Sequence, residues 1–188
     1  RPTESIDVAL QHSQSTPMQQ PYVKRFDIEG LALIEPRSIG DCRGWFSETW
    51  NQKNWLAAGL PDVKWVQENR AFSAEAGTLR GLHFQAPPHA QAKLVEVLSG
   101  KIFDAVVDLR QGSSTYGRTA SVTLEAGSLA AFFVPAGFAH GYQTLVPDTT
   151  VSYKVTDYYA PRAEGGLYWN DRRLQIDWPI QEGVTLAD

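Results

Sequence analysis

The stretch KLVEVLSGKIFDAVVDLR, residues 93–110, decides the fold. Two β-branched runs, 93–98 and 101–109, meet at Ser99-Gly100, a two-residue turn signal, so the stretch reads as a β-hairpin. Outward from it the chain repeats one theme, short apolar runs separated by Gly, Pro, Asn and Asp. Strands are expected at 31–36, 45–49, 64–69, 78–85, 119–124, 129–134, 140–145 and 150–156. Only 51–58 reads as a helix, with Asn51 as its N-cap and Gly59 beyond its end. Ten short strands, one minor helix and no βαβ alternation predict an all-β protein, an antiparallel jelly roll with a minor helix. Residues 1–22 are polar and rich in Gln, Ser and Thr and read as a flexible arm, so residues 23–188 are expected to form a single domain.

The 188 residues carry 17 Lys and Arg against 21 Asp and Glu, a formal charge of -4. That balance argues against bulk electrostatic binding to nucleic acid or anionic lipid, which calls for a basic face. It leaves room for a local basic pocket. One cysteine, Cys42, cannot make an internal disulfide and fits a reducing compartment. No apolar run approaches the ~18 residues of a membrane span, and no signal-peptide pattern opens the chain, so a cytoplasmic location is expected.

Of four histidines, His12, His83, His89 and His140, two are informative. His83 in TLRGLHFQ and His140 in FFVPAGFAHGYQ stand at expected strand ends beside glycines. The plainer reading of either alone is a satisfied structural residue. Together their surroundings resemble the cupin jelly roll, since residues 135–140 match its second motif, P-x-G-x-x-H. In the first motif, which normally supplies two histidines and a glutamate to a metal, the positions here are His83, Gln85 and Lys93. A divalent first-row ion wants imidazole and carboxylate. At ~4 Å and an effective dielectric constant of ~20, each unit of ion charge beside the Lys93 ammonium costs about 4 kcal/mol. The expected pocket is metal-free and suits an anion, an enolate oxygen or a phosphate.

Eight further motifs occur in order: D-x-R-G-x-F-x-E (41–48), V-Q-x-N (66–69), L-R-G-L-H-x-Q (79–85), K-L-V (93–95), F-D-x-x-V-D-L-R (103–110), P-x-G-F-A-H-G (135–141), Y-K-x-T-x-Y-Y (153–159) and W-N-D…I-x-W-P (169–179). Together they resemble the dTDP-4-dehydrorhamnose 3,5-epimerase family from about residue 28 to the end. The resemblance implies a cupin without metal or other cofactor, acting on a thymidine-diphosphate keto sugar in dTDP-L-rhamnose synthesis. His83 corresponds to the family base, Lys93 to the residue facing the C4 oxygen, and Tyr153 to the opposing acid. Neighbouring cations are expected to lower the Tyr153 pKa. Arg43, Glu48, Gln67, Asn69, Arg80 and His140 resemble substrate-binding positions, with Glu164 a weaker one. Tyr159 falls where the family stacks on thymine, a contact worth ~1–3 kcal/mol. In the family Arg43 and Glu48 come from the partner subunit, which implies a homodimer.

The resemblance has departures. The family's base-orienting aspartate would lie about two positions beyond Asp188, so Asp188 is not assigned a catalytic role. Arg70 replaces a common histidine and Ala92 a common glycine, and both are expected to border the sugar pocket. These changes leave open a regioselective 3- or 5-epimerase of another deoxyketosugar. From other classes, a non-catalytic sugar-nucleotide-binding jelly roll and a metal-dependent cupin also stay open. His83, Lys93 and Tyr153 together argue against the first, Gln85 and Lys93 against the second.

Overall fold

The computed structural model describes residues 20–186. In chain order these form β1 (Tyr22–Arg25), β2 (Ala32–Glu35), β3 (Ser38–Asp41), β4 (Gly44–Ser47), α1 (Gln52–Ala57), β5 (Gln67–Ser73), β6 (Leu79–Gln85), β7 (Lys93–Ser99), β8 (Lys101–Asp108), β9 (Thr119–Glu125), β10 (Ala131–Val134), β11 (Phe138–Thr144), β12 (Thr149–Val155) and β13 (Glu164–Gly166). A six-stranded sheet, β1-β2-β10-β7-β12-β5, faces a five-stranded one, β13-β6-β11-β8-β9, and β3 and β4 pair apart from both. All ladders among these strands are antiparallel, which is the expected jelly roll. The polar arm expected at 1–22 lies outside the described residues except for its last three, and Tyr22 already opens β1.

The hairpin expected at 93–110 does not form. Its two runs are strands, but β7 belongs to the six-stranded sheet and β8 to the five-stranded one. Val95 and Val97 of β7 and Ile102 and Val106 of β8 all enter the core between the sheets. The two strands therefore face each other across the sandwich instead of lying side by side. Gly100, at φ +81°, makes the corner, and a Cβ there would collide with Thr149. The alternating pattern was common to both arrangements; what decided between them is that β7 finds its ladders with β10 and β12, and β8 with β11 and β9.

The helix forms nearly as expected. The Asn51 side chain accepts hydrogen bonds from the Lys53 and Asn54 amides at 3.0 and 3.2 Å, and Gly59 follows the C-cap at φ +72°. Trp55 of α1 is buried against Phe133 and, with Trp50 and Trp65, covers the outer face of the six-stranded sheet. Trp65 explains why the strand expected at 64–69 begins instead at Gln67: its ring is committed to this outer cluster before the ladder with β12 starts. The outer face of the five-stranded sheet is covered by the C-terminal chain through Trp178. Between the sheets Phe132, Val95, Val106 and Val151 are fully buried, each contributing about 1.5–3 kcal/mol on the usual scale of apolar burial.

Candidate active site

Strand alternation selects what faces the interior. On β12 and β7, Val151, Tyr153, Val95 and Val97 point inward. The register pairs Tyr153 with Asn69 and Val155 with both Gln67 and Lys93, so Gln67, Asn69 and Lys93 share that inner face. On the opposite sheet the inner face carries Asp104 of β8, His140 and Tyr142 of β11, and Arg80 and His83 of β6. His83 and His140, expected at strand ends, lie within strands as direct cross-strand partners.

Arg80 and His83 are three residues apart, which in a regular strand would send them to opposite faces. The ladder shifts here, since Arg80 and His83 span the same length of β6 as Tyr142 and His140, two residues apart, span of β11. Two glycines permit the irregularity. Gly81 has φ +112°, and a Cβ on it would come within 2.6 Å of the Gly141 Cα. A Cβ on Gly141 would lie 2.8 Å from the Arg80 carbonyl. The L-R-G-L-H and A-H-G motifs are thus one device that turns an arginine and a histidine toward a common interior.

The inner groups open on a cavity of about 260 Å³ lined by Gln67, Asn69, His83, Lys93, Tyr153, Tyr159 and Glu164 among others. A second, of about 380 Å³, borders Arg80 and the other side of His83. Burial pulls the Lys93 ammonium down to about 8, against the attraction of Asp104 and Glu164. Burial also lowers His83; Glu164 pushes it back up, while Lys93 and His140 lower it further. His83 is thereby kept neutral, as a base must be. Burial raises Tyr153 despite the nearby Arg80 guanidinium, which corrects the expectation that cations would lower it. The phenol keeps its proton.

The remaining groups are held in place by one another. Gln67 donates to Asn69 Oδ1 at 2.8 Å and accepts from the Tyr159 amide at 3.1 Å. The Tyr159 hydroxyl donates to Glu164 Oε2 at 2.7 Å, and the other oxygen of that carboxylate lies 3.7 Å from His83 Nδ1. Arg80 reaches across to the opposite sheet, donating to the Phe72 carbonyl at 3.1 Å. His140 is buried with its Nε2 2.8 Å from Asp104 Oδ2, a pairing that sequence reading missed although Asp104 stood in the quoted F-D-x-x-V-D-L-R motif. Its signal was that motif's first carboxylate falling on an inward position of a strand. Tyr142, also missed, places a buried hydroxyl without a protein partner among the described residues.

The cupin ligand positions do not fit a divalent ion. Lys93 offers an ammonium. The Gln85 amide is spent on the loop that carries Tyr159, donating to the His89 and Tyr158 carbonyls and accepting from the Ala160 amide.

Two expected site residues are not brought to the cavity by their own chain. Arg43 sits at the tip of the exposed β3–β4 hairpin, paired with Asp41. Glu48 accepts from the Asn54 side chain at 2.8 Å, beside α1. The two substitutions expected at the pocket border lie elsewhere. Arg70 pairs in register with Ser152 on the outer face, and Ala92 is packed in the outer cluster with Trp55. Strand alternation accounts for both. Asp188 lies outside the described residues.

The dTDP-4-dehydrorhamnose 3,5-epimerase family model matches residues 25–188. A relative named dTDP-4-dehydrorhamnose 3,5-epimerase from Sinorhizobium fredii is 47% identical over 173 residues, covering 92% of this chain and 88% of its own. The Bacillus anthracis protein of that name, solved with TDP and pyrophosphate bound, is 44% identical with a TM-score of 0.85 over 89% of this chain and 94% of the other. A Legionella pneumophila dTDP-6-deoxy-D-glucose-3,5-epimerase, solved in complex with dTDP-4-keto-L-rhamnose, is 39% identical at a TM-score of 0.84, covering 89% and 88%. With the jelly roll, the paired glycines and the inward His83, Lys93 and Tyr153 already in place, these matches make the chain a member of the dTDP-4-dehydrorhamnose 3,5-epimerase family.

Proposed function

We propose that the chain inverts C3 and C5 of dTDP-4-dehydro-6-deoxy-D-glucose, giving dTDP-4-dehydro-L-rhamnose. The observation that carries this reading is the convergence of His83, Lys93 and Tyr153 from three strands of two sheets on one cavity. His83 takes the proton α to the C4 ketone, and the electron pair moves onto the C4 oxygen. The Lys93 ammonium, held in a desolvated interior, stabilises that oxyanion. Tyr153 returns a proton to carbon from the other side, and solvent resets both groups. No oxidant, metal or other cofactor enters the balance.

For substrate binding, Arg80 and His140 suit the diphosphate sugar, Gln67 and Asn69 the pyrimidine edge, and Tyr159 a stacked thymine. Glu164 joins them through Tyr159. Arg43 and Glu48 complete the site from a second copy in a homodimer, a reading supported by their distance from the chain's own cavity and by the exposed Ile39, Trp45 and Phe46 of the same hairpin. We read residues 23–188 as one epimerase domain in the cytoplasm; among the described residues no helix is long and apolar enough to cross a membrane.

The test is incubation with dTDP-4-dehydro-6-deoxy-D-glucose in deuterium oxide, following label by NMR. Deuterium at both C3 and C5 is the expected result. Label at one carbon makes the protein a regioselective epimerase, and binding without exchange makes it a sugar-nucleotide-binding module.

A further inference from the structure

We infer that Gln85, which stands at a metal-ligand position of the cupin motif, is the positioning residue of the nucleotide seat: it pins the backbone on both sides of Tyr159 and so aims that ring. The inference rests on the proposed stacking role of Tyr159 and adds a residue that acts through it. The Tyr159 ring is exposed, so packing does not set where it points. Its backbone does. In the peptide unit before it, the Tyr158 carbonyl accepts from Gln85 Nε2 at 3.2 Å and the Tyr159 amide donates to Gln67 Oε1 at 3.1 Å. In the peptide unit after it, the Ala160 amide donates to Gln85 Oε1 at 2.8 Å. These two peptide planes meet at the Tyr159 Cα, and holding both of them holds its φ and ψ.

Gln85 is itself a firm anchor. It is buried on β6, opposite Glu164 of β13, and Nε2 also donates to the His89 carbonyl at 2.7 Å. The partners fix which way the amide faces, because the two carbonyls can only accept and the backbone amide can only donate. An ionised glutamate has the same shape without the donors, and methionine has about the same length without donors or a strong acceptor. The far end of the ring is held separately, by Glu164 Oε2 accepting from the Tyr159 hydroxyl at 2.7 Å. Gln85 therefore sets the root of the aromatic seat, and in place of a ligand for a metal the position supplies an anchor for the loop.

The experiment measures dTDP and inorganic pyrophosphate binding by calorimetry at pH 8, on the full chain as wild type, Gln85→Met, Gln85→Glu, Tyr159→Ala and the Gln85→Met, Tyr159→Ala double variant. Hydrogen exchange of the Ala160 amide is followed by NMR. Gln85→Met and Gln85→Glu are each expected to weaken dTDP binding by roughly fivefold to fiftyfold, within the worth of one base–aromatic stack, and to leave pyrophosphate within about twofold. In Gln85→Met the Ala160 amide is expected to exchange about tenfold faster or more. In the Tyr159→Ala background Gln85→Met is expected to cost less than about twofold further, since the ring it aims is gone. Full additivity overturns the inference, as does wild-type dTDP affinity in either Gln85 variant. An equal loss of pyrophosphate binding also overturns it and makes Gln85 a residue of the fold alone. A Tyr159→Ala chain that binds dTDP like wild type overturns the stacking reading instead, and the Ala160 exchange rate still shows whether Gln85 holds the loop.

Discussion

The cavity and the β3–β4 hairpin hold the two halves of the expected site in opposite physical states. At the cavity, polar side chains from both sheets converge: Lys93 and Tyr153 are shifted by desolvation and Gln67 and Asn69 are engaged by neighbours, while His83 and Tyr159 stay open to solvent at its mouth. On the hairpin the large apolar side chains are exposed, with Trp45 and Phe46 at 62% and 65%, and Arg43 pairs only locally with Asp41. One region is finished by its own chain. The other exposes an apolar surface of the kind that marks a contact site, in line with the homodimer proposed above. The contrast teaches that the chemistry should be intrinsic to one chain and the binding completed by two.

The largest expected effect is His83→Ala, which should cut deuterium exchange at both carbons by about 10³-fold or more, as befits removal of a general base. Next, Lys93→Met should lower kcat by about 10²–10³-fold, the scale of losing one oxyanion donor. The wild-type rate should also fall as pH rises through about 8, where Lys93 deprotonates, and the Met variant should lack this limb. Stability runs the other way. The folded-state pKa lies below the unfolded value, so between about 8 and the ordinary lysine value of 10.5 the unfolded chain holds more protons, and the Lys93 contribution to stability rises with pH across that window. Denaturant titrations at pH 7 and 10 on wild type and Lys93→Met check it.

Tyr153→Phe should keep exchange at the first carbon while slowing product formation by about 10²-fold, read by comparing label with inverted sugar. A fully active variant would remove Tyr153 from the mechanism. The sharpest attack on the comparison is complementation. If Arg43 acts across a dimer, refolding a one-to-one mixture of inactive His83→Ala and impaired Arg43→Ala chains should restore about a quarter of wild-type activity, because half the dimers then hold one intact site of two. No recovery above the Arg43→Ala background would place Arg43 outside the partner's site. The smallest effect on the fold should come from Trp45→Asn with Phe46→Ser, expected to stay within about 0.5 kcal/mol in stability of the isolated chain while losing self-association by analytical ultracentrifugation.

Motif order and residue chemistry made His83, Lys93 and Tyr153 legible in the sequence, and alternation made most strands legible. Connection was not. The run at 93–110 looked like a hairpin because local pattern specifies that a segment is a half-buried strand, and leaves its partner to distant residues such as Phe132 and Val151. The short strands β1, β3 and β13 escaped for a related reason. Glu164–Gly166 is a strand only because β6 offers it an edge. Arg70 and Ala92 were set at the pocket border by their nearness in sequence to Asn69 and Lys93, yet one step along a strand is the opposite face. Asp104 was unassigned because its partner, His140, lies 36 residues away.

The corner at Gly100 has a consequence for how the chain reaches its fold. Two strands joined by a single residue share no ladder, so forming one does nothing to template the other: β8 can pair with β9, the next strand in the chain, but β7 must await β10 and β12, brought from afar. A topology dominated by such distant pairings places folding on the millisecond-to-second scale. During that interval β7, with both edges unpaired, is the segment most open to pairing with another chain.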